Sequence, residues 1–299
     1  MYYSFWFIQN VFGIKKPLIN TMVILYDCNL NCKHCNIADK LKNIPEPHTM
    51  SYATAKGKMI EMYKKGARVC YFEGGETTLW KDKDRDLSNL INLAKEIGYF
   101  TIGYTTNGTN VIFEQSDVIS VSLDGPEDIH DKIRTKGVFN TLMNNLKKTN
   151  HKNIFANMTI SKINIDYIEE TVKIASENKA IAGIMLNFIT PPPDDIALTK
   201  EEKIIAIKKI KELKKKSYPI LNSSKALENL KNENWQKKCP FWMSAFVLPD
   251  GSEVGGCPMK SDVSCRNCGF DAPREYYFIS KGFLPTIFEL TKRFALSMK

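Results

Sequence analysis

Six short apolar runs alternate with segments of helical periodicity through the first two thirds of the 299-residue chain. The runs are rich in Val, Ile, Phe and Tyr, and near-continuous apolar runs of this length are typical of parallel strands that are buried on both faces. The predicted strands cover residues 22–26, 68–73, 100–105, 118–123, 154–160 and 183–189.

The segments between these strands carry helix start and stop signals. Ser51 is a candidate N-cap for a helix that ends at Lys65, and Gly66 is its stop. Alternating strands and helices imply a parallel sheet with right-handed crossovers. Six such units predict an α/β fold, a partial (β/α)6 barrel. The other predicted helices cover residues 86–97, 139–148 and 166–177.

The alternation of predicted strands and helices ends after the sixth strand. Pro191 to Pro193 predict a stiff connector, and the capping box from Thr199 to Glu202 opens a basic helix that ends near Lys216. We interpret its lysines as a solvated helix face rather than a nucleic-acid patch. The predicted organisation is an N-terminal apolar segment (1–18), the barrel (19–216), a connector (217–238) and a cysteine-rich module with a C-terminal helix (239–299).

Three of the eight cysteines follow the first predicted strand with the spacing C-x3-C-x2-C. These are Cys28, Cys32 and Cys35, and three thiolates can hold three irons of a [4Fe–4S] cluster while the fourth iron stays open for chemistry. Zinc is the alternative, but zinc sites favour paired C-x2–4-C knuckles and a closed shell of four ligands. The cysteine usage argues for metal rather than disulfides. The sequence has no apolar stretch long enough to predict a transmembrane helix.

Three further motifs follow the next three predicted strands. Gly74, Gly75 and Glu76 follow the second strand, residues 106–108 follow the third, and residues 124–126 follow the fourth. In a (β/α) barrel the C-terminal ends of the strands form one rim, which is where catalytic groups lie. The motifs therefore predict one site that is shared by four loops.

Taken with the cysteine motif, these residues resemble the radical S-adenosylmethionine (radical SAM) enzymes whose C-terminal region is a SPASM or twitch module. The resemblance covers about residues 22–134 and 239–268. The run from Ser120 to Pro126, followed by His130-Asp131 and Ile133-Arg134, is similar to the fourth-strand region of peptide-modifying members.

The resemblance implies a role for each rim residue. The three cysteines would ligate a [4Fe–4S] cluster whose open iron chelates SAM, and His34 would lie near the adenine. The loop 74–76 would receive the methionine amino group, with its glycines allowing close approach. Ser122 and Arg134 would bind the ribose or carboxylate end, and Asn107 is a further candidate.

A second set of cysteines lies near the C-terminus. Cys239, Cys257, Cys265 and Cys268 can complete the shell of one cluster or of one Zn²⁺. Their order resembles a twitch module, with a hairpin turn at Asp250-Gly251 and with Cys257 on its return strand. Cys257 lies one residue further from the turn than is usual, which a bulge at residues 255–256 would absorb. We favour an auxiliary [4Fe–4S] cluster over zinc or free thiols, and interpret Cys70 as a buried core thiol.

The function implied by the resemblance is reductive cleavage of SAM to a 5′-deoxyadenosyl radical that abstracts hydrogen from a peptide, a protein or a small molecule. An alternative is a lipid or isoprenoid substrate at a membrane surface, because residues 2–14 and 283–298 are rich in apolar side chains. A non-catalytic iron–sulfur or zinc scaffold is a third hypothesis. The expected partners are a reductant such as ferredoxin or flavodoxin and the substrate, without nucleic acid. The expected location is the cytoplasm, with membrane association as the alternative.

The sequence does not identify a catalytic acid or base. Several candidates lie near expected rim positions, and nothing in the sequence ranks them. They are Asp27, Glu73, Tyr104, Asp194 and Asp195.

Overall fold

The computed structural model describes residues 2–35, 46–190, 194–232, 235–254 and 256–297. The strands are β1 (Ile19–Leu25), β2 (Val69–Gly74), β3 (Lys81–Asp82), β4 (Arg85–Asp86), β5 (Thr101–Thr106), β6 (Val118–Ser122), β7 (Ile154–Ile160), β8 (Ile181–Phe188), β9 (Ser244–Val247) and β10 (Glu253–Val254). The helices are α1 (Tyr2–Val11), α2 (Tyr52–Lys65), α3 (Leu87–Ile97), α4 (Glu127–Ile133), α5 (Val138–Leu146), α6 (Ile168–Glu177), α7 (Lys200–Lys215), α8 (Ser224–Asn229), α9 (Asp262–Arg266), α10 (Ala272–Ser280) and α11 (Leu284–Ser297).

The main sheet has the strand order β10-β9-β1-β2-β5-β6-β7-β8. Its six central strands are parallel, and each pairs with the next one along the chain. All six overlap the strands that the sequence predicts. This confirms the partial (β/α)6 barrel, because successive right-handed crossovers place the helices on the outer face of the sheet.

The helix boundaries follow the predicted caps. The Ser51 hydroxyl accepts a hydrogen bond from the Thr54 amide at the start of α2, and Gly66 ends this helix at a φ of 120°. The hydroxyl of Thr199 and the carboxylate of Glu202 form the predicted capping box of α7. Local side-chain chemistry therefore sets these boundaries.

The C-terminal segment attaches to both edges of the barrel sheet. β9 runs parallel to β1, with Ile19 opposite Ser244, and β10 returns antiparallel to β9. At the opposite edge the Phe188 amide, at the end of β8, donates to the Gly269 carbonyl over 3.0 Å. The described residues between 244 and 269 thus contact both edges of the six-strand barrel sheet.

Two details of this segment differ from the sequence prediction or fall beyond it. Gly251 has a φ of 82° in the predicted hairpin turn, but Cys257 lies three residues past the end of β10 rather than on that strand. The proline connector at 191–193 and Gly255 of the predicted bulge lie outside the described residues.

The N-terminal helix α1 has one packed face and one exposed face. Trp6 is buried, stacks on Trp242 with ring centroids 5.7 Å apart, and donates its indole N–H to the Lys16 carbonyl. Phe5, Ile8, Val11 and Phe12 are exposed. No described helix is both long enough and apolar enough to span a bilayer.

The sequence prediction missed several short elements. α4 follows β6 directly and begins after Pro126, and the small β3–β4 hairpin lies between β2 and α3. The predicted basic face of α7 is solvated, and several of its lysines form ion pairs, including Lys211 with Glu228 at 2.7 Å.

Candidate cofactor and active site

The three-cysteine loop leaves the C-terminal end of β1 and is tied to three neighbouring segments. The Asp27 carbonyl accepts from the Glu76 amide over 2.9 Å. The Asn107 side-chain amide donates to the Asn29 side chain over 2.9 Å. The Lys33 amide donates to the Ile133 carbonyl over 2.9 Å. The cysteine loop is therefore hydrogen-bonded to the loops that follow β2 and β5 and to the C-terminal end of α4.

Gly74 and Gly75 permit the closest of these approaches. A Cβ on Gly75 would lie 2.1 Å from the Asp27 carbonyl oxygen, and a Cβ on Gly74 would lie 2.1 Å from the Leu25 carbonyl oxygen. Gly74 also has a φ of 146°, which L side chains rarely adopt. The glycine pair therefore lets the loop after β2 run against the start of the cysteine loop.

Glu76 organises this rim with its carboxylate. Oε1 accepts from the Thr78 amide and hydroxyl and from the Thr106 hydroxyl, and Oε2 accepts from the Asn107 amide over 2.6 Å. The side chain is 1% exposed, and all of these donors are neutral. These four donors fix the carboxylate next to the cysteine loop, where a carboxylate would suit a cationic ammonium.

Two of the three cysteines receive hydrogen bonds from nitrogen donors. Cys28 Sγ accepts from the Leu30 amide at 3.4 Å and from Asn107 Nδ2 at 4.0 Å. Cys32 Sγ lies 3.8 Å from an Arg134 Nη atom. Donors of this kind stabilise thiolate ligands of iron–sulfur clusters, so the donor set fits a [4Fe–4S] group.

Arg134 forms a buried ion pair behind the cysteine loop. Its Nε donates to Asp124 Oδ2 over 2.6 Å, and His34 Nε2 lies 3.9 Å from the same oxygen. Asp124 Oδ1 accepts from the Thr159 amide. Burial alone would raise the pKa of Asp124, but Arg134, His34 and His130 together hold that pKa below its usual value. A charged Asp124 therefore neutralises Arg134.

Histidines next to this pair remain neutral near neutral pH. Burial lowers the pKa of His34 despite the nearby Asp124 carboxylate. Burial and Arg134 lower the pKa of His130 to about 4. His130 Nδ1 accepts from the Asp124 amide, so its proton lies on Nε2.

The other predicted SAM contacts lie on the same rim. Ser122 ends β6 and is 8% exposed, and Asn107 is 5% exposed. Asn107 and Arg134 contact Cys28 and Cys32, and Glu76 is close enough to Cys28 to raise its pKa. That arrangement is compatible with the predicted SAM contacts, whose individual roles stay predictions.

The four C-terminal cysteines open onto one cavity of about 480 Å³. Burial, with the neighbouring cysteines adding to it, raises the pKa of the Cys239 thiol to about 12. Burial raises the pKa of the Cys257 thiol to about 11. Thiols that are close enough to raise each other's pKa need a metal to hold them as thiolates together. The same cavity is lined by the aromatic residues Trp235, Phe241, Trp242 and Phe270.

The four cysteines fit a cluster by sharing one cavity rather than by tight convergence. Among the described residues, no three Cys, His, Asp or Glu side chains converge on the position of a single metal ion. The ligands of a [4Fe–4S] cluster each bind a different iron.

Glu73 stands apart among the five candidate acids and bases. It alternates along β2 with the core residues Cys70 and Phe72, so its side chain points to the barrel interior. No described residue gives its carboxylate a hydrogen bond or an ion pair. Burial raises the pKa of Glu73 to about 7, and Glu73 is among the groups that raise the pKa of Cys257.

The other four candidate acids and bases are placed less favourably for contact with a substrate. Tyr104 is fully buried, and its hydroxyl accepts from the Phe113 amide. Asp27 and Asp195 are exposed. The side chain of Asp194 lies outside the described residues.

Sequence reasoning missed two charged residues of these sites. Asp124 belongs to a motif that the sequence singled out, but only the fold shows that it pairs with Arg134. Arg274, on α10, donates to the Sγ atom of Cys268 at 3.8 Å, and no signal in the sequence distinguishes it from a surface arginine.

The family model of the Radical SAM superfamily matches residues 22–175, just over half of the chain. The mycofactocin maturase MftC of Mycolicibacterium smegmatis is 24% identical over 184 residues, which cover 58% of this chain and 45% of that protein. A cysteine-type anaerobic sulfatase-maturating enzyme of Clostridium novyi is 31% identical over 153 residues, which cover 44% of this chain and 40% of that protein. The chain thus spans less than half of either relative.

Solved structures share the fold at low identity. Streptococcus suis SuiB bound to its precursor peptide SuiA aligns with a TM-score of 0.65 at 13% identity, covering 90% of this chain and 68% of SuiB. The anSMEcpe protein with bound AdoMet aligns with a TM-score of 0.63 at 16% identity, covering 95% of this chain and 84% of that one. These alignments confirm the α/β partial-barrel architecture.

Proposed function

This chain belongs to the Radical SAM superfamily, and we propose that it is an enzyme that modifies a peptide or protein through a SAM-derived radical. The observation that carries the proposal is the hydrogen bonding of the three-cysteine loop to the loops that follow β2 and β5 and to the end of α4. A [4Fe–4S] cluster with SAM supplies reductive cleavage of SAM to methionine and a 5′-deoxyadenosyl radical. The peptide assignment is supported by relatives that are maturases and by neighbours whose structures hold peptides.

The rim residues would bind and orient the cofactors. Cys28, Cys32 and Cys35 would hold the cluster, while Asn107 donates to Cys28 Sγ and Arg134 donates to Cys32 Sγ. Glu76 places negative charge where the methionine ammonium of SAM would lie. These contacts orient the cofactors and limit the entry of water, which is the role of the protein in cofactor chemistry.

The C-terminal cysteines hold an auxiliary [4Fe–4S] cluster in this proposal. Four cysteine ligands leave no open iron, so the cluster transfers electrons or supports the fold rather than binding substrate. The described residues between 244 and 269 contact both edges of the barrel sheet, which would bring this site next to the interior where the substrate would bind.

Glu73 is the residue that we propose to contact the substrate as a proton acceptor. Its carboxylate faces the barrel interior without a protein partner and lies within electrostatic reach of Cys257 at the auxiliary site. A carboxylate with a pKa near 7 is well suited to accept a proton at neutral pH. If a cluster held by the C-terminal cysteines took up the electron of a substrate radical, Glu73 would accept the proton that is lost in forming a neutral product.

The proposal is tested by anaerobic reconstitution with iron and sulfide, followed by reduction in the presence of SAM. We expect the wild type to release 5′-deoxyadenosine and the Cys28/Cys32/Cys35→Ala variant to release none. About eight irons should fall to about four in the variant if two [4Fe–4S] clusters are bound. Intact clusters without release of 5′-deoxyadenosine would favour the scaffold hypothesis.

A lipid substrate is the second candidate, and the exposed apolar face of α1 favours it. Phe12 is 79% exposed and Val11 is 65% exposed, next to Lys15 and Lys16. Such a face can rest on an anionic membrane. Co-sedimentation with anionic liposomes should separate the two, because a Phe5/Phe12→Ser variant should lose binding only if α1 contacts lipid. If neither the wild type nor the variant binds the liposomes, the lipid hypothesis loses its support and the peptide proposal remains.

A further inference from the structure

Arg274 is a fully buried arginine that holds the backbone around Cys268. One Nη donates to the Phe270 carbonyl over 2.6 Å and lies 3.8 Å from Cys268 Sγ, and the other donates to the Cys268 carbonyl over 2.9 Å. Its guanidinium lies 5.0 Å from the ring centre of Trp235. Arg274 therefore fixes both the main chain and the sulfur of one cysteine of the C-terminal set.

The positive charge of Arg274 has no carboxylate counterion within salt-bridge distance among the described residues. The nearest acids along the chain are Asp271 and Glu275, and both are buried. Burial and the nearby Glu275 raise the pKa of Asp271 although Arg274 lowers it, and burial raises the pKa of Glu275, so the net shifts favour the neutral forms of both acids. A buried cation without a charged partner is unfavourable, so a nearby anion would stabilise Arg274.

The cavity of the four cysteines can supply that anion. Four thiolates around an oxidised [4Fe–4S] core carry a net charge of about −2, and reduction adds one more negative charge. Four neutral thiols would supply none. A cation close to one sulfur stabilises the reduced form more than the oxidised form, because the reduced form is more negative.

We propose that Arg274 is the charge partner of the auxiliary cluster, that it positions Cys268, and that it raises the reduction potential of the cluster. This inference rests on the proposed function in one respect, which is that the four cysteines hold a [4Fe–4S] cluster. It assigns a positioning residue outside the cysteines and outside the SAM rim.

The test compares Arg274→Lys with Arg274→Gln. Both variants are made in the Cys28/Cys32/Cys35→Ala protein, so that only the auxiliary cluster takes up iron. The measurements are iron content after anaerobic reconstitution, far-ultraviolet circular dichroism for folding, and the midpoint potential from a redox titration followed by electron paramagnetic resonance.

We expect Arg274→Lys to keep its iron and a potential close to that of the parent. In Arg274→Gln the reduced-to-oxidised ratio at a fixed potential should fall at least tenfold, which is about 59 mV for one electron. Loss of iron from the Gln variant alone, with folding intact, also supports a role of the charge.

Equal potentials in iron-loaded Lys and Gln variants would overturn the inference. Loss of iron from both variants would overturn its charge component, because geometry alone would then hold the cluster. Zinc without iron in the parent would overturn the cluster assignment itself, which distinguishes a failure of the proposed function from a failure of this inference.

Discussion

The three-cysteine and four-cysteine sites each place an Nη atom of a buried arginine 3.8 Å from one cysteine Sγ. At the first site Asp124 neutralises Arg134. At the second site no described carboxylate lies within salt-bridge distance of Arg274. The first site therefore brings its own counterion, whereas the second depends on the charge of what it binds. We therefore expect the three-cysteine site to form without its cofactor, and we expect the stability of the four-cysteine site to depend on bound metal.

The two sites also share a way of attaching to the sheet. Each has a glycine pressed against the end of a strand or the residues just after it. A Cβ on Gly75 would lie 2.1 Å from the Asp27 carbonyl oxygen, and a Cβ on Gly269 would lie 2.4 Å from the Phe188 carbonyl oxygen. A backbone oxygen cannot move aside as the end of a flexible side chain can. An alanine at either glycine should therefore disrupt the site next to it and leave the other site intact.

The largest expected effect is on the first site, from Gly75→Ala. The clash should separate the loop after β2 from the cysteine loop, so that about four of about eight irons are lost after reconstitution. Release of 5′-deoxyadenosine should stop. The C-terminal cysteines should keep their irons, and a variant that retains all iron and SAM cleavage would contradict this account of the rim.

Gly269→Ala is the counterpart at the second site. It should separate the segment after Cys268 from the end of β8 and remove about four irons while the SAM cluster stays loaded. Iron counting in the Cys28/Cys32/Cys35→Ala background would then fall to near zero. If the two glycine variants lost the same irons, the sites would not be independent.

Asp124→Asn tests the counterion of Arg134. It should lower the free energy of unfolding by about 3 kcal/mol, because breaking a buried pair leaves one charge uncompensated. Urea denaturation of cluster-free protein measures this effect. Glu96→Gln, at an exposed position of α3, is the control and should change the stability by less than about 0.5 kcal/mol.

Glu73→Gln examines the barrel interior between the two sites. The pKa of Glu73 is raised in the folded state to about 7, above an unfolded value of about 4.3. The folded wild type therefore binds more protons between these values and loses stability as the pH rises through this window, by about 3 kcal/mol relative to the variant.

Unfolding free energies of the wild type and Glu73→Gln, measured from pH 4.5 to pH 8, would reveal this slope. The exposed Glu96→Gln on α3 serves as its control and should run parallel to the wild type. Parallel curves for Glu73→Gln as well would show that Glu73 does not titrate near neutral pH.

The smallest effect is expected from Gly57→Ala within α2. A Cβ at Gly57 meets no atom within 4 Å, and alanine in a helix interior stabilises by about 0.5–1 kcal/mol relative to glycine. Thermal unfolding should show a small rise in the midpoint. The substitution is the same as at positions 75 and 269. A loss of stability at position 57 would show that Gly→Ala is harmful here without a steric clash.

Features set by neighbouring residues were predictable from the sequence. The six barrel strands and the caps at Ser51, Gly66 and Thr199 follow from apolar runs and side-chain hydrogen bonds within a few positions. The motif Gly74-Gly75-Glu76 was also placed on the correct rim. Its close approach to Asp27 required the fold, because the partner atom belongs to a different loop.

Features that depend on distant residues were not predictable. Three contacts join residues that are far apart in the sequence, and no local pattern identifies their partners. They are the pairing of β9 with β1, the ion pair of Asp124 with Arg134 and the contact of Arg274 with Cys268. α4 was missed for a different reason, since Pro126 provides no side-chain cap for its first turn.

The parallel pairing of β1 with β9 has a consequence for synthesis of the protein. During translation β1 is made before β9, and the outer edge of its residues 19–22 has no strand partner until Val247 has left the ribosome. An unpaired strand edge is a template for pairing with other chains. The nascent barrel is therefore exposed to aggregation until its last third is made, so variants that slow folding of the C-terminal segment should reduce the soluble yield even when every residue of the SAM rim is intact.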